Sequence, residues 1–213
     1  MPYPRRTDRA AIVAAAIEVM DERGLDNVTL RAIADRLGVR QPALYHHIAD
    51  KAALLDAVGE EILDRRHTDR LPVEGEAWDS FVIRNARSMR RAMLGVRDGA
   101  RLIASTGSRS PSPENAIAQL APLEAAGFSG TQAALALIAV ARYTIGSALE
   151  QQTARDGGDI VVTTDRTDPA AGHLLEIVAG VVALGQDHEF DIGLTALVRG
   201  LDQLRRGTDA EAG

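Results

Sequence analysis

The chain has 213 residues, 46% hydrophobic and 25% charged, with 24 Lys+Arg against 30 Asp+Glu, a formal charge of −6 and no cysteine. That length suits one domain, or a small one joined to a larger one, with enough chain to bury a core. The missing cysteine excludes disulfides, thiol catalysis and Cys-ligated metal centres, and the scarcity of aromatic residues excludes a platform that stacks successive unpaired bases.

The chain opens on MPYPRRTDRA, arginines with no apolar leader core behind them, and no run approaches the roughly 18 uncharged apolar residues of a membrane span. The expectation is a cytoplasmic protein that makes no membrane contact. From Thr7 onward, Val13, Ala16, Ile17 and Met20 recur at helical spacing, and Gly24 stands where a helix would stop. Thr29 is placed to cap a second helix on Leu30, Ile33, Ala34 and Leu37, ended by Gly38. After a short link, Pro42 suits the first turn of a third helix, Gln41 to Ile48. Asp50 caps a fourth, on which Leu54, Val58 and Ile62 recur as far as about Arg66. Two short helices joined by a glycine-containing turn form a helix-turn-helix, with Ala34, Leu37 and Leu44 packed on the first helix. The outer face of the third helix then presents Arg40, Gln41, Pro42, Tyr45 and His46, with His47 and Lys51 behind. Gln41 suits an adenine edge, Pro42 and Ala43 a thymine methyl, and Tyr45, the histidines and Lys51 a phosphate. His46 and His47 point to different faces, so they do not chelate one ion together. Arg5, Arg6 and Arg9 form either an arm that reaches DNA or a solvated terminus.

Beyond Arg66 the pattern stays helical. Trp78 to Met93 is followed by a short segment, Asp98 to Ile103, and by a Ser/Gly/Pro-rich loop from Ser105 to Pro113. Helices are expected over about Glu114 to Ala126, Thr131 to Gln152, Ala170 to Leu184 and Phe190 to Leu204, with a polar loop from Asp156 to Asp168. Trp78, Phe81 and Phe128 read as core. The long, nearly uncharged helix from Thr131 cannot be buried on all sides by so small a body, so packing against a second copy is expected. Residues 1–51 carry eight basic and seven acidic side chains, a charge of +1 that leaves −7 on the rest. Contact with nucleic acid is therefore expected at the N-terminal head alone, with strong salt dependence. No GxSxG, HExxH, P-loop or GxGxxG occurs, and the five histidines have no catalytic-metal spacing, so neither an enzyme nor a cofactor nor a metal is expected.

The run TLRAIADRLGVRQPALYHHIADKAALLDAVGEEIL resembles the DNA-binding domain of the TetR family of bacterial one-component regulators. The shared features are a capped second helix, a GV turn, a short helix with a central Tyr and an Asp-Lys start to the fourth. LPVEGEAWDSFVIRNARSMRRAML, RDGA, GFS and YTIGSALEQQ resemble the ligand-binding body of the tetracycline repressors within that family. The resemblance implies an all-α homodimer with a three-helix head over 1–50, a connecting helix over 51–66 and a ligand-binding and dimerisation domain over 67–213. Thr29, Arg31, Arg40, Gln41, Pro42, Ala43, Tyr45, His46, His47 and Lys51 would meet a palindromic, double-stranded operator in major grooves roughly 34 Å apart. A small-molecule effector would lift repression by favouring a conformer with the wrong head spacing. The helices from Thr131 and from Phe190 would form a four-helix bundle with their copies.

In the pocket, the resemblance gives His67, Asn85, Thr106, Gln119 and Glu150 the residue types of those repressors, with Met89, in place of Phe, and Leu137 as walls. Ile103 takes the place of a histidine that ligates the drug-bound magnesium, Gly107 that of an Arg, and Arg142 that of another His. An alkyl side chain offers a metal no donor, so the expected effector is a polycyclic or polyketide-like compound held without metal. Read from the residues alone, Arg142 and Glu150 are either a pocket floor or an intersubunit ion pair. His67 either orients a ligand or lies exposed past a helix end, and the Asn85 and Gln119 amides bond either ligand or backbone. The rival reading is a DNA-binding regulator without a small-molecule effector, controlled by a partner or acting as an activator.

Overall fold

The computed structural model describes residues 8–106, 112–157 and 169–211, without the side chains of 155–157, 169–170 and 207–211. Asp8 caps α1 (Arg9–Arg23) by accepting from the Ala11 amide at 2.8 Å, so the helix begins two residues later than Thr7. Gly24, at φ 82, ends it, and a 3₁₀ turn, Leu25–Asn27, leads on. The Thr29 hydroxyl accepts from the Ala32 amide at 3.1 Å to start α2 (Leu30–Leu37). Gly38 follows in the left-handed region (φ 69, ψ 29), a conformation that costs a side-chain-bearing residue and that reverses the chain here. Asp50 accepts from the Ala53 amide at 2.8 Å to start α3 (Lys51–Arg66).

The third helix differs from the α-helix expected. Gln41–His46 is a 3₁₀ helix, in which Ala43 donates to the Arg40 carbonyl and His47 to that of Leu44, both at 2.9 Å. Pro42 supplies no N–H, and six residues are too few to sustain a ladder of i→i−4 bonds; only at its end does Ile48 close one, on Leu44. The remaining elements are α4 (Trp78–Leu94), α5 (Gly99–Ser105), α6 (Pro113–Ala125), α7 (Gly130–Gly157), α8 (Pro169–Leu184) and α9 (Gln186–Glu211). α7 continues through the start of the expected polar loop, and α9 extends the expected helix at both ends. The rest of that loop (158–168), residues 107–111 of the Ser105–Pro113 loop, and Arg5 and Arg6 lie outside the described residues.

The chain divides into two compact units: Met1–Pro72 with Arg87–Gln119, and Val73–Ala86 with Leu120–Gly213. The core of the first buries Ile12, Ala16, Met20, Ile33, Leu44 and Leu54 together with Val96 and Leu102. Those last two arrive with a strut at the start of α5. Asp98, a non-glycine at φ 56, accepts from the Leu25 amide at 2.7 Å; the Arg97 amide donates to Asp21 at 3.1 Å; and Arg101 forks Asp26 at 2.7 and 2.9 Å. Bidentate bonding from Arg101 holds the Asp26 carboxyl below the usual carboxylate range.

In the second unit, Phe81, Leu123, Ala133, Ala136 and Leu194 form the core, with the Trp78 ring edge-on to Phe128 at 4.9 Å between centroids. Arg205 donates to the Ala126 carbonyl at 2.8 Å and to Asp202, and lies over the Phe128 ring. Tyr143 of α7 stacks on Phe190 of α9 and donates its hydroxyl to the Phe190 carbonyl at 3.0 Å. Gly130–Ala154 of α7 contains an 18-residue window of mean hydropathy 1.3, so the helix is long and apolar enough by length and composition to cross a membrane, and a third of that window is buried. Two charged residues, Arg142 and Glu150, interrupt the run.

Candidate nucleic-acid interface and effector residues

Leu44 and Ile48 anchor the 3₁₀ segment from below, 0% and 3% exposed, and so fix which residues point away from the core. Thr29, Arg31, Arg40, Pro42, Tyr45, His46, His47 and Lys51 are exposed, while Gln41 and Ala43 are half-buried. Tyr45 leaves 50% of its surface in water, unusual for a ring that would gain from burial. Its hydroxyl accepts from Gln41 Nε2 at 3.1 Å, so the amide is held on the outer face by the residue one turn on. Arg31, Arg40 and Lys51 make no salt bridge among the described residues and remain available to an anionic partner. Arg36, on the same helix as Arg31, is not available. It is engaged by Glu18 at 2.8 Å and by Glu22, hydrogen bonds that raise its pKa further. Arg9 stands 3.6 Å from Glu60, both exposed. The arrangement is a shallow polar face with two unpaired arginines, a lysine that also feels Asp26, an amide and a phenol, able to bond phosphates and base edges.

Of the residues expected to meet an effector, His67, Met89, Ile103, Thr106 and Gln119 belong to the first unit, and Asn85, Leu137, Arg142 and Glu150 to the second. His67 ends α3 and is buried rather than exposed, 8% accessible, with Nδ1 3.0 Å from the Ser88 hydroxyl. That hydroxyl also accepts from the Asp69 amide at 3.2 Å. Gln119 spends a donor on the Arg70 carbonyl at 3.0 Å. Met89 is half-buried, Ile103 is fully buried, and Thr106 is buried at the end of α5. Asn85 is half-buried on α4, Leu137 packs against the second core, and Arg142 and Glu150 are exposed on α7. Sequence reasoning missed Ser88, the fully buried partner of His67. A serine inside the apolar run of α4 was the available signal, since a buried hydroxyl needs a partner.

The helix-turn-helix with its uncompensated outer face defines a DNA-binding transcriptional regulator. The family model for bacterial regulatory proteins of the tetR family matches residues 12–58, and that for the tetracyclin repressor-like C-terminal domain matches residues 71–205. The chain is 40% identical over 209 residues to tetracycline repressor protein class C of Escherichia coli, covering 96% of this chain and 94% of the relative. Among solved structures, a variant of TetR from Acinetobacter baumannii AYE in complex with minocycline is similar with a TM-score of 0.84 at 38% identity, covering 94% of this chain and 96% of that one. TetR class A in complex with 5a,6-anhydrotetracycline and magnesium has a TM-score of 0.70 at 36% identity, covering 90% and 96%. The chain belongs to the TetR family of transcriptional regulators, DNA-binding proteins rather than enzymes, and is tetracycline-repressor-like over nearly its whole length.

Proposed function

We propose that the protein is a cytoplasmic, homodimeric repressor that binds a palindromic operator through Gln41–His46 and its flanks, and that an oxygenated polycyclic molecule releases it. The observation that carries this reading is the likeness to tetracycline repressors along the whole chain, together with a recognition face whose cations are left unpaired. Gln41, Pro42 and Ala43 read base edges, while Thr29, Arg31, Arg40, Tyr45, His46, His47 and Lys51 hold the phosphates. The effector acts by binding the non-operator conformer more tightly, and its power is limited to that difference in affinity. In the first unit, His67, Thr106 and Gln119 supply polar contacts to it, with Met89 and Ile103 as apolar walls.

Magnesium, which accompanies the ligand in the class A structure, does not fit the residues present here. By the resemblance, the position of the histidine that ligates it is taken by Ile103, an alkyl group with no donor, and among the described residues no three of His, Asp or Glu gather into a metal site. The test is fluorescence anisotropy of a labelled duplex taken from the DNA upstream of this protein's coding sequence. Tight binding should be abolished by 5a,6-anhydrotetracycline or a related polycycle equally in magnesium and in EDTA. Release that needs magnesium would overturn the metal-free reading. A panel of polycyclic and phenolic compounds that neither releases the duplex nor raises the melting temperature would favour a regulator without a small-molecule effector.

A further inference from the structure

A glutamine on a recognition face does not by itself choose between the purines. Its amide has an acceptor oxygen and two N–H donors on one nitrogen, so a freely turning side chain can offer adenine a donor and an acceptor, or guanine its donors alone. In this chain the amide does not turn freely. Nε2 of Gln41 donates to the Tyr45 hydroxyl at 3.1 Å, and neither side chain has another hydrogen-bond or ion-pair partner among the described residues. Gln41 is half-buried and Tyr45 exposed, and both stand on a segment held from below by the buried Leu44 and Ile48. The phenol oxygen is the acceptor in this bond, so it keeps its own proton for a second partner.

We propose that Tyr45 is a positioning residue that sets the base preference of Gln41, selecting adenine and rejecting guanine. The proposal rests on the reading above that Gln41–His46 meets a major groove, and deepens it by naming the base and the device that chooses it. With one N–H occupied by Tyr45, the amide presents one N–H and Oε1, a donor and an acceptor. Adenine offers the complement in the major groove, N7 as acceptor and the N6 amino group as donor, whereas guanine offers two acceptors, N7 and O6. Against guanine, Oε1 meets O6 with no proton between the two oxygens, and both lose water without gaining a partner. To avoid that, the amide must turn over and break its bond to Tyr45. The remaining phenol proton bonds a phosphate, and an O–H that donates makes its oxygen a better acceptor. Seating on the DNA backbone therefore tightens the hold on Gln41 while the bases are being read. Because the amide is ordered before DNA arrives, less rotamer freedom is lost on binding.

The test begins with selection of duplexes from a random-sequence pool by the full chain, followed by anisotropy titrations of duplexes altered at one base pair in each half of the selected site. The position read by Gln41 is the one whose base preference Gln41→Ala removes. There the native chain should favour an A·T pair over the G·C pair of the same orientation by roughly tenfold or more. Tyr45→Phe keeps the ring and loses only the hydroxyl, and should bring that ratio to about threefold or less, with the melting temperature unchanged because the side chain lies outside the core. A role confined to phosphate contact gives a different result, since Tyr45→Phe would then weaken every duplex by the same factor. An A·T to G·C ratio that Tyr45→Phe leaves unaltered overturns the proposal while the recognition segment stands. A native preference for G·C at this position also overturns it, because the amide is then held by its oxygen. Base preferences that Gln41→Ala changes nowhere, or a native chain that selects no sequence, overturn the recognition reading and the proposal with it.

Discussion

In the first unit, the helices that carry the recognition segment bury Ile12, Met20, Ile33, Leu44 and Leu54 completely, and within α1 to α3 the one large apolar side chain left exposed is Tyr45. In the second, Leu135, Ile177, Val182, Ile192 and Leu204 of α7, α8 and α9 are 51 to 73% exposed. The contrast is between α1 to α3, which satisfy their own core and spend their surface on polar chemistry, and helices α7 to α9, whose apolar stripes call for another surface. Packing within the core of α1 to α3 does not explain the exposure of Tyr45, which a DNA face does, and DNA contact does not explain that of Leu135.

The harshest way to break the contrast is to charge the apolar stripe. Leu135→Arg combined with Ile138→Arg should yield monomers by light scattering and weaken operator binding about a hundredfold or more, since two linked heads gain by effective concentration. A variant that stays dimeric and binds normally would place the interface elsewhere. On the head, Gln41→Ala and Tyr45→Ala should each cost about 1–3 kcal/mol of operator affinity in anisotropy titrations. Their molecular mass and melting temperature should barely move, because both residues lie outside the core. Thr29→Ala removes the cap of α2 and should cost about 1 kcal/mol of head stability in chemical denaturation, with the dimer unaffected.

The smallest effect concerns acid. Arg84 donates to Glu76 at 2.7 and 2.6 Å, and the Val73 amide adds a third bond, so the Glu76 carboxyl titrates below its ordinary value. A depressed carboxylate contributes its stability fully above the unfolded-state pKa and loses it as the pH falls through the folded one. Glu76→Gln should therefore lower the melting temperature near neutrality and flatten its decline on acidification. An acid limb as steep as that of the native chain would show that the pair contributes nothing.

Much of the head was legible in the sequence because its determinants are local. Thr29 and Asp50 cap, and Gly24 and Gly38 stop, within three or four residues of the groups they serve, and the apolar spacing names Ile33, Leu44 and Leu54 as core. The 3₁₀ form of Gln41–His46 was missed because Pro42 permits both helix types at a helix start, and the length decides. Helix ends in the second unit were missed because α7 runs on through the polar residues after Glu150 as far as Gly157, and α9 runs past Gly193 and Gly200 without stopping. In the candidate site, exposure of the recognition residues followed from the helical face. The burial of His67 against Ser88, 21 residues on, did not, because nothing local encodes it.

The bond from the Leu25 amide to Asp98 spans 73 residues, and Leu102 fills a socket lined by much earlier helices. During synthesis, at about 5–20 residues per second, α1 waits roughly 4 to 15 s for the chain that will close it. Over that interval the nascent head carries an open apolar hollow and an unanswered amide. A head excised for fusion to another protein inherits the same gap permanently unless the segment around residues 96–102 travels with it.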